Sequence, residues 1–209
     1  MNDEEVVKAL EEARKSPDRK FSEGVDLVAN LKGIDFKVPA NKIDLKIVLP
    51  SGRGKGLKVA VVGDADFVKK AKNADVRLTD KEIDKSPKEI KKLANDVDYF
   101  IAQTTVMVKI GKNWGKYLST RGKMPQPLPP QADPTPMVER LKKSVTLKSK
   151  GKTPNTLHCS LGTKEMSAAD LMKNFKAVLN ALMEKLPHKD QNIKSLYVKT
   201  TMGKPIRIA

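Results

Sequence analysis

The stretch Ser195-Leu-Tyr-Val-Lys-Thr-Thr-Met-Gly-Lys-Pro-Ile-Arg-Ile-Ala209 closes the chain and decides how its two ends fold together. Leu196 and Val198 alternate with polar or amphipathic neighbours, which predicts a half-buried strand. Residues 201–203, Thr-Met-Gly, interrupt the alternation, and glycine can adopt a positive φ that lets a partner approach the backbone. Two isoleucines then resume the alternation. The sequence therefore predicts a strand, a tight polar loop and a second short strand.

The predicted loop gathers hydroxyls, backbone N–H groups and cations at one rim. These groups suit the phosphate and 2′-hydroxyl oxygens of RNA better than they suit an apolar ligand. A terminal hairpin with solvated lysines has the same pattern, so this stretch alone leaves both interpretations open.

The composition favours a folded protein with a polyanionic partner. Of the 209 residues, 39% are hydrophobic, and 41 Lys and Arg against 25 Asp and Glu give a net charge of +16. Such an excess is typical of proteins that bind nucleic acid. Aromatic residues make up only 4% of the chain, which offers few platforms for stacking unpaired bases. We therefore expect folded RNA, recognised by its shape and backbone.

Cysteine content and hydropathy limit the other classes. A single cysteine, Cys159, allows neither a disulfide framework nor a zinc cluster within the chain, which fits a reducing compartment. The acidic start of the chain is not typical of a signal peptide. No apolar run approaches the ~20 residues of a membrane helix. We expect a cytoplasmic protein with no membrane contact, no metal and no cofactor.

Two separated parts of the chain, 1–56 and 146–209, show the pattern of one antiparallel α+β module. The first part predicts a helix over 2–15 and an alternating strand over 41–49. The second part predicts strands and then a long amphipathic helix capped by Ser167. The module is discontinuous, because residues 57–145 follow a different pattern.

Residues 57–145 predict an inserted parallel α/β domain. Apolar runs at 59–62 and 99–102 predict strands buried on both faces, and helical patterns alternate with them. The fold class is therefore α/β with two domains: an α+β module interrupted by a Rossmann-like three-layer domain. The proline-rich run 124–136 predicts an extended loop.

The glycine-rich run 50–56 precedes a strand instead of following one. It therefore lacks the position of a phosphate-binding loop, which lies between a strand and a helix. We interpret it as a flexible crossing between domains, with Arg53 and Lys55 as weak candidates for phosphate contacts.

Three motifs resemble those of the L-one family of ribosomal proteins, the large-subunit proteins of the mobile stalk beside the tRNA exit site. They are Lys20-Phe21, Arg121-Gly-Lys-Met-Pro125 and Thr200-Thr-Met-Gly203 with the strand before it. The family has the same interrupted two-domain plan, and the archaeal and eukaryotic branch fits best. The resemblance implies a structural protein that binds the stalk region of large-subunit rRNA and assists release of exit-site tRNA. It also implies repression of its own mRNA, and a monomer when free.

The resemblance and the strand pattern together give the candidate site. Leu196 and Val198 should pack inward, turning Ser195, Lys199 and Thr201 outward. The exposed pair Lys69 and Lys70 on the insert should be a solvated helix face. The expected RNA-binding residues are Lys20, Phe21, Ser22, His158, Ser195, Lys199, Thr200, Thr201, Met202 and Gly203.

We expect no enzymatic activity. His158 and Cys159 are an adjacent base and nucleophile, but neighbours on a strand point to opposite faces and cannot form a dyad. Two alternatives stay open. One is a nucleotide-binding enzyme built on the inserted domain, and the other is a generic basic RNA-binding protein with no preferred RNA.

Overall fold

The computed structural model describes residues 3–17, 19–36, 38, 41–84, 86–149 and 155–208. The chain divides into two compact units. Unit 1 comprises Met1–Lys55 and Lys143–Ala209, and unit 2 comprises Gly56–Lys142. The predicted fold class, an α+β module interrupted by a parallel α/β domain, is confirmed.

The secondary-structure elements follow the chain in this order: α1 (Asp3–Arg14), β1 (Gly24–Leu31), β2 (Asp44–Val48), β3 (Val59–Gly63), α2 (Ala65–Lys70), β4 (Val76–Thr79), α3 (Pro87–Asp96), β5 (Tyr99–Gln103), α4 (Met107–Asn113), α5 (Gly115–Ser119), β6 (Gln126–Leu128), α6 (Thr135–Lys142), β7 (Ser144–Lys148), β8 (Thr156–Thr163), α7 (Ala168–Lys185), β9 (Ile193–Thr200) and β10 (Ile206–Arg207). The predicted first helix included Asn2, which lies outside the described residues.

Unit 1 is built on antiparallel pairing between distant parts of the chain. Its four-stranded sheet has the order β10-β9-β1-β8, and β2 pairs with β7 in a separate two-stranded sheet. The pair β2–β7 joins Val48 to Ser144 at one end and Asp44 to Lys148 at the other. The boundary expected between residues 145 and 146 therefore falls inside β7, a strand of unit 1.

Helices α1 and α7 cover one face of the four-stranded sheet. Strand β1 alternates strictly, with Val25, Leu27, Ala29 and Leu31 buried and the residues between them half-exposed. The inward side chains pack against the apolar stripe of α7, which includes Phe175. The predicted cap of α7 is present, because the Ser167 hydroxyl accepts a hydrogen bond from the Asp170 amide. The opposite face of the sheet carries the polar and half-exposed residues.

A buried asparagine anchors the glycine-rich run that the sequence predicts to be a flexible crossing. Asn174 of α7 is fully buried, and its Oδ1 accepts a hydrogen bond from the Ser51 amide at 3.0 Å. Its Nδ2 donates to the carbonyls of Gly52 at 2.8 Å and Leu161 at 2.7 Å. Gly54 packs so closely on Thr163 that an added Cβ would lie 2.5 Å from the threonine hydroxyl. Residues 51–54 are therefore held against unit 1, and the prediction of a loose crossing is wrong for this part.

Unit 2 is a three-layer α/β structure. Its parallel sheet has the order β4-β3-β5-β6. One face packs against α3, α4 and α5, and the other packs against α2 and α6. The sequence pattern over 106–118 predicts a single helix, but the structure divides it into α4 and α5 at Trp114, which is buried and donates its indole N–H to the Ile83 carbonyl at 2.7 Å.

The proline-rich run contains a strand that the sequence did not predict. Strand β6 includes Pro127 and pairs in parallel with β5 at the edge of the sheet. An edge strand pairs with a neighbour on only one side, so some of its backbone N–H groups make no hydrogen bond within the sheet. Proline, which lacks the N–H, is tolerated at such a position.

The Arg121-Gly-Lys-Met-Pro125 motif supports the fold of unit 2. The Lys123 ammonium donates to the carbonyls of Ala94 at 3.1 Å and Val97 at 2.7 Å, where α3 ends. Arg121 donates to the Lys91 carbonyl of the same helix at 3.2 Å. Cations at a helix C-terminus satisfy its unpaired carbonyls and oppose its dipole. Arg121 and Lys123 therefore have a structural role.

Among the described residues, none of the helices is both long and apolar enough to cross a membrane.

Replacing Asn174 with leucine should lower the free energy of unfolding of unit 1 by about 2–4 kcal/mol, because backbone groups of Ser51 and Leu161 lose their partners. Asn180→Leu on the exposed side of the same helix is the matched control and should change it by less than ~0.5 kcal/mol. Urea unfolding followed by circular dichroism measures both. Equal effects would contradict the anchoring role of Asn174.

Candidate nucleic-acid interface

The loop Thr201–Gly203 is closed against the start of β1. The Thr201 amide donates to the Gly24 carbonyl at 3.0 Å, and the Gly24 amide donates to the Thr201 hydroxyl at 3.1 Å. The same hydroxyl donates back to the Gly24 carbonyl at 3.3 Å. This closure ties the loop to the first residue of β1, which residues 20–22 precede by one residue, Glu23.

Glu23 holds the middle of the loop. Its side chain is 2% exposed, and its Oε1 accepts a hydrogen bond from the Met202 amide at 3.1 Å. Its Oε2 is buried and has no hydrogen-bond partner among the described residues. The Glu23 carbonyl accepts from the Lys164 amide, just beyond β8, at 2.9 Å. Glu23 therefore connects the loop, the start of β1 and the end of β8.

Gly203 is needed for close packing and not for a positive φ. Its φ lies outside the left-handed region, contrary to the expectation from the sequence. A Cβ at this position would lie 2.2 Å from the Thr200 hydroxyl. That hydroxyl is buried and donates to Ser16 Oγ at 3.2 Å. Thr200 therefore supports the loop from within unit 1, while Thr201 and Met202 are exposed.

The end of α1 completes the support of the loop. The Lys164 ammonium donates to the Ser16 carbonyl at 2.5 Å, and Arg14 donates to the Lys164 carbonyl at 3.1 Å. Ser16 thus bonds to the residue that follows β8 and to the last residue of β9. Four separate segments meet at this edge of the sheet, which we call the loop rim: residues 14–16, 19–24, 163–165 and 200–204.

The loop rim exposes apolar and cationic groups together. Phe21 is 49% exposed and Met202 is 60% exposed, although side chains of this type are usually buried. A depression of about 500 Å³ lies beside Met202, and another of about 270 Å³ lies beside Phe21. The basic residues that line the two depressions are Lys15, Arg19, Lys20, Lys164 and Lys204, and the acidic ones are Glu12, Glu23 and Glu165. The excess of cations fits a polyanion with some apolar surface.

Lys199 lies on the outer face of the sheet, directly opposite Asp26 of β1. Burial raises the pKa of Asp26 above its ordinary value, although a hydrogen bond with Ser160 and the charges of Arg53, Lys199 and His158 act in the opposite direction. The predicted face of Lys199 is therefore correct.

His158 and Ser195 are farther along the same face. His158 is exposed and lies opposite Val28, which is four residues, or about 13 Å, from Gly24. Ser195 lies opposite Asn30 and is only 6% exposed. Its hydroxyl accepts a hydrogen bond from the side-chain Nδ2 of Asn30 at 3.0 Å. His158 and Ser195 therefore lie away from the loop Thr201–Gly203, whereas Lys20, Phe21 and Ser22 directly precede Glu23 and Gly24, which bond to it.

Three residues that the sequence reasoning missed are central to the loop rim: Ser16, Glu23 and Gly24. The sequence gives a weak signal for Glu23, an acidic residue directly before a strand in a basic segment. Nothing in the sequence pattern indicates that Gly24 and Thr201 would pair, because they are far apart in the chain.

The carboxyl edge of the parallel sheet in unit 2 is filled. Ligands of doubly wound folds bind at this edge, at the point where the order of the strands reverses, which here lies between β3 and β5. Gln103 occupies this place: its Oε1 accepts from the Asp64 amide at 2.8 Å and its Nε2 donates to Asp64 Oδ2 at 2.7 Å. A Cβ on Gly63 would lie 2.7 Å from the Phe67 ring. This arrangement does not favour a nucleotide-binding site.

The His158–Cys159 pair is also unsuited to nucleophilic catalysis. His158 is exposed on the outer face, while Cys159 is buried on the inner face. Burial raises the pKa of the Cys159 thiol to about 12, so the thiol remains protonated at neutral pH.

Comparison with known proteins gives a consistent result. The model of the "Ribosomal protein L1p/L10e family" matches residues 10–204. The "Large ribosomal subunit protein uL1" of Picrophilus torridus is 45% identical over 205 residues, which cover 97% of this chain and 94% of the relative. The protein of the same name from Methanocella arvoryzae is 44% identical over 210 residues and 98% of each chain. That from Thermoplasma volcanium is 42% identical over 213 residues, 100% of this chain and 97% of the relative.

The match extends through both units and includes the loop rim, and the similar proteins are archaeal, which confirms the branch that the resemblance favours. The chain belongs to the ribosomal protein L1p/L10e family.

Proposed function

We propose that this protein is a structural constituent of the large ribosomal subunit and binds the stalk region of large-subunit rRNA through the loop rim of unit 1. Its similar proteins are named as large ribosomal subunit proteins. The role is structural and the place of action is the ribosome in the cytoplasm. The observation that carries the proposal is the meeting of four segments to expose Phe21, Thr201 and Met202 amid an excess of cations.

The chemistry of the loop rim suits folded RNA. Thr201 is exposed, and its hydroxyl retains one lone pair beyond the bonds to Gly24, so it can accept from a 2′-hydroxyl. The unpaired Oε2 of Glu23 can accept from a base amine or a 2′-hydroxyl once the surrounding side chains adjust. The flexible cations Arg19 and Lys20 can reach phosphates on either side.

The same surface supports two further roles. An mRNA segment that repeats the shape of the stalk rRNA would bind the loop rim in its place, and we propose that this competition represses translation of the protein's own mRNA. A protein fixed to the stalk by unit 1 also keeps unit 2 available, and the basic character of the chain favours contact with exit-site tRNA. Both roles depend on rRNA binding by unit 1.

Removing the Thr201 hydroxyl should weaken rRNA binding. Thr201→Val keeps the shape but leaves polar groups of the RNA and of Gly24 unpaired, at a cost of about 1–3 kcal/mol in binding free energy. Thr201→Ser keeps the hydroxyl and should bind within about threefold of the wild type. Gel-shift titration with a stalk fragment of Picrophilus torridus large-subunit rRNA measures all three proteins, and thermal melts check their folding.

A paired control locates the site. Lys69 and Lys70 lie on α2 of unit 2 and are exposed. Changing both to alanine removes two positive charges and should change affinity by less than a few-fold. Wild-type binding by Thr201→Val, together with a large loss in the double lysine variant, would move the site to unit 2.

Salt dependence separates specific from generic binding. Net charge alone produces steep, indiscriminate loss of affinity as salt rises, roughly 10³–10⁵-fold between about 50 and 200 mM for six to ten phosphate contacts. Hydroxyl and backbone contacts at the loop rim should make the stalk fragment lose less than bulk tRNA does. Filter binding over this range gives both slopes. Parallel slopes and equal affinities would favour a generic basic protein.

A further inference from the structure

The outer face of the four-stranded sheet carries three parallel rows of side chains. In antiparallel strands, directly opposite residues lie side by side on one face. One row joins Ser195, Asn30 and Thr156, the next joins Arg207, Tyr197, Val28 and His158, and the third joins Lys199, Asp26 and Ser160. The middle row crosses all four strands.

The first and third rows are engaged within the protein. Asn30 donates to the Ser195 hydroxyl at 3.0 Å and accepts from the Thr156 hydroxyl at 3.1 Å. Asp26 is bonded to Ser160 and lies among the cations on the same face. These rows therefore form a polar frame on each side of the middle row.

The middle row carries two ring side chains on the outer face. Tyr197 is half-buried and His158 is exposed, while their chain neighbours Leu196, Val198 and Cys159 are buried in the core. Two strand spacings separate the rings, so they lie about 10 Å apart with Val28 between them. This separation allows each ring to stack on a different base.

The charges around the rings suit one occupant. Lys199 is two residues from Tyr197 along β9 and faces Asp26, and Arg207, which has a partner within the protein, is opposite Tyr197 on β10. Thr201 of the loop rim directly follows β9 and is four residues, or at most about 13 Å, from Tyr197, a span of a few nucleotides. An unpaired RNA segment suits this surface and the adjoining loop rim. Its phosphates would contact the cations, and its bases would stack on the rings.

We propose that Tyr197 and His158 form a base-stacking platform for unpaired nucleotides of the same RNA that the loop rim binds. This inference rests on the proposed function and extends it from backbone recognition at the loop rim to base contacts on the sheet. The platform accepts any base, because every base has a π face. The low aromatic content of the chain does not oppose this, since a single tyrosine and a single histidine suffice.

The test compares ring removal with ring retention. Tyr197→Phe keeps the ring and should bind the Picrophilus torridus stalk fragment as the wild type does. Tyr197→Leu keeps an apolar, half-buried side chain without the ring and should lose about 5- to 150-fold in affinity. Tyr117→Leu in unit 2 is the matched control for loss of a half-buried tyrosine and should have no effect on affinity.

A second readout reports stacking directly. The adenosine analogue 2-aminopurine, placed in turn at each unpaired position of the fragment, should show fluorescence quenching at one or two positions with wild type and Tyr197→Phe. Tyr197→Leu should lose the quenching at one of these positions, and His158→Leu should lose it at the other.

The outcomes separate the two proposals. If the wild type shows no preference for the stalk fragment over tRNA, the proposed function fails. If the wild type prefers the fragment but Tyr197→Leu matches Tyr197→Phe in affinity and quenching, the function stands and the stacking platform is overturned. Loss of folding in Tyr197→Leu would show in its thermal melt, and the His158→Leu arm then decides, because His158 is exposed.

Discussion

The pairing of β1 with β9 is the interaction on which the rest of unit 1 depends. It joins residues near the start of the chain to residues near its end, and it finishes at Gly24 and Thr201, where side chain and backbone bond in both directions. Because β1 also pairs with β8, one central strand sets the positions of both neighbours. The loop rim exists only when this ladder forms, so the proposed RNA binding is coupled to folding of the discontinuous module.

Charge and shape have separate roles in the proposed RNA binding. The net charge of +16 attracts any nucleic acid and gives little selectivity. In the proposed interface, selectivity comes from groups held in place by the fold: the Thr201 hydroxyl, the close contact of Gly203 with Thr200, and the loop amide held by Glu23. Asn174 contributes at a distance, because it fixes the run 51–54 against the helix that supports the sheet.

Much of the fold follows from local sequence patterns. Alternation along β1 and β9, the apolar runs of β3 and β5, and the stripe of α7 all predict their elements, because burial on one or both faces sets the period. The contacts that build the loop rim are not local. The partners of Glu23, Ser16 and Gly24 in this region are more than 140 residues away in the sequence. Gly24 and Thr201, for example, are 177 residues apart. Motif resemblance placed Phe21 and Met202 at the rim but also suggested that His158 and Ser195 lay nearby, whereas the strand register sets them along the sheet.

We propose that unit 1 recognises rRNA without help from unit 2. This proposal is tested most directly by a chain in which residues 56–142 are replaced with a Gly/Ser linker, since the ends of β2 and β7 are already paired at Val48 and Ser144. The measurement is its dissociation constant for the stalk fragment at moderate salt, beside the intact protein, with circular dichroism as the folding check. We expect the remnant to fold and to bind the fragment within about tenfold of the intact chain. A folded remnant that does not bind the fragment would contradict the proposal.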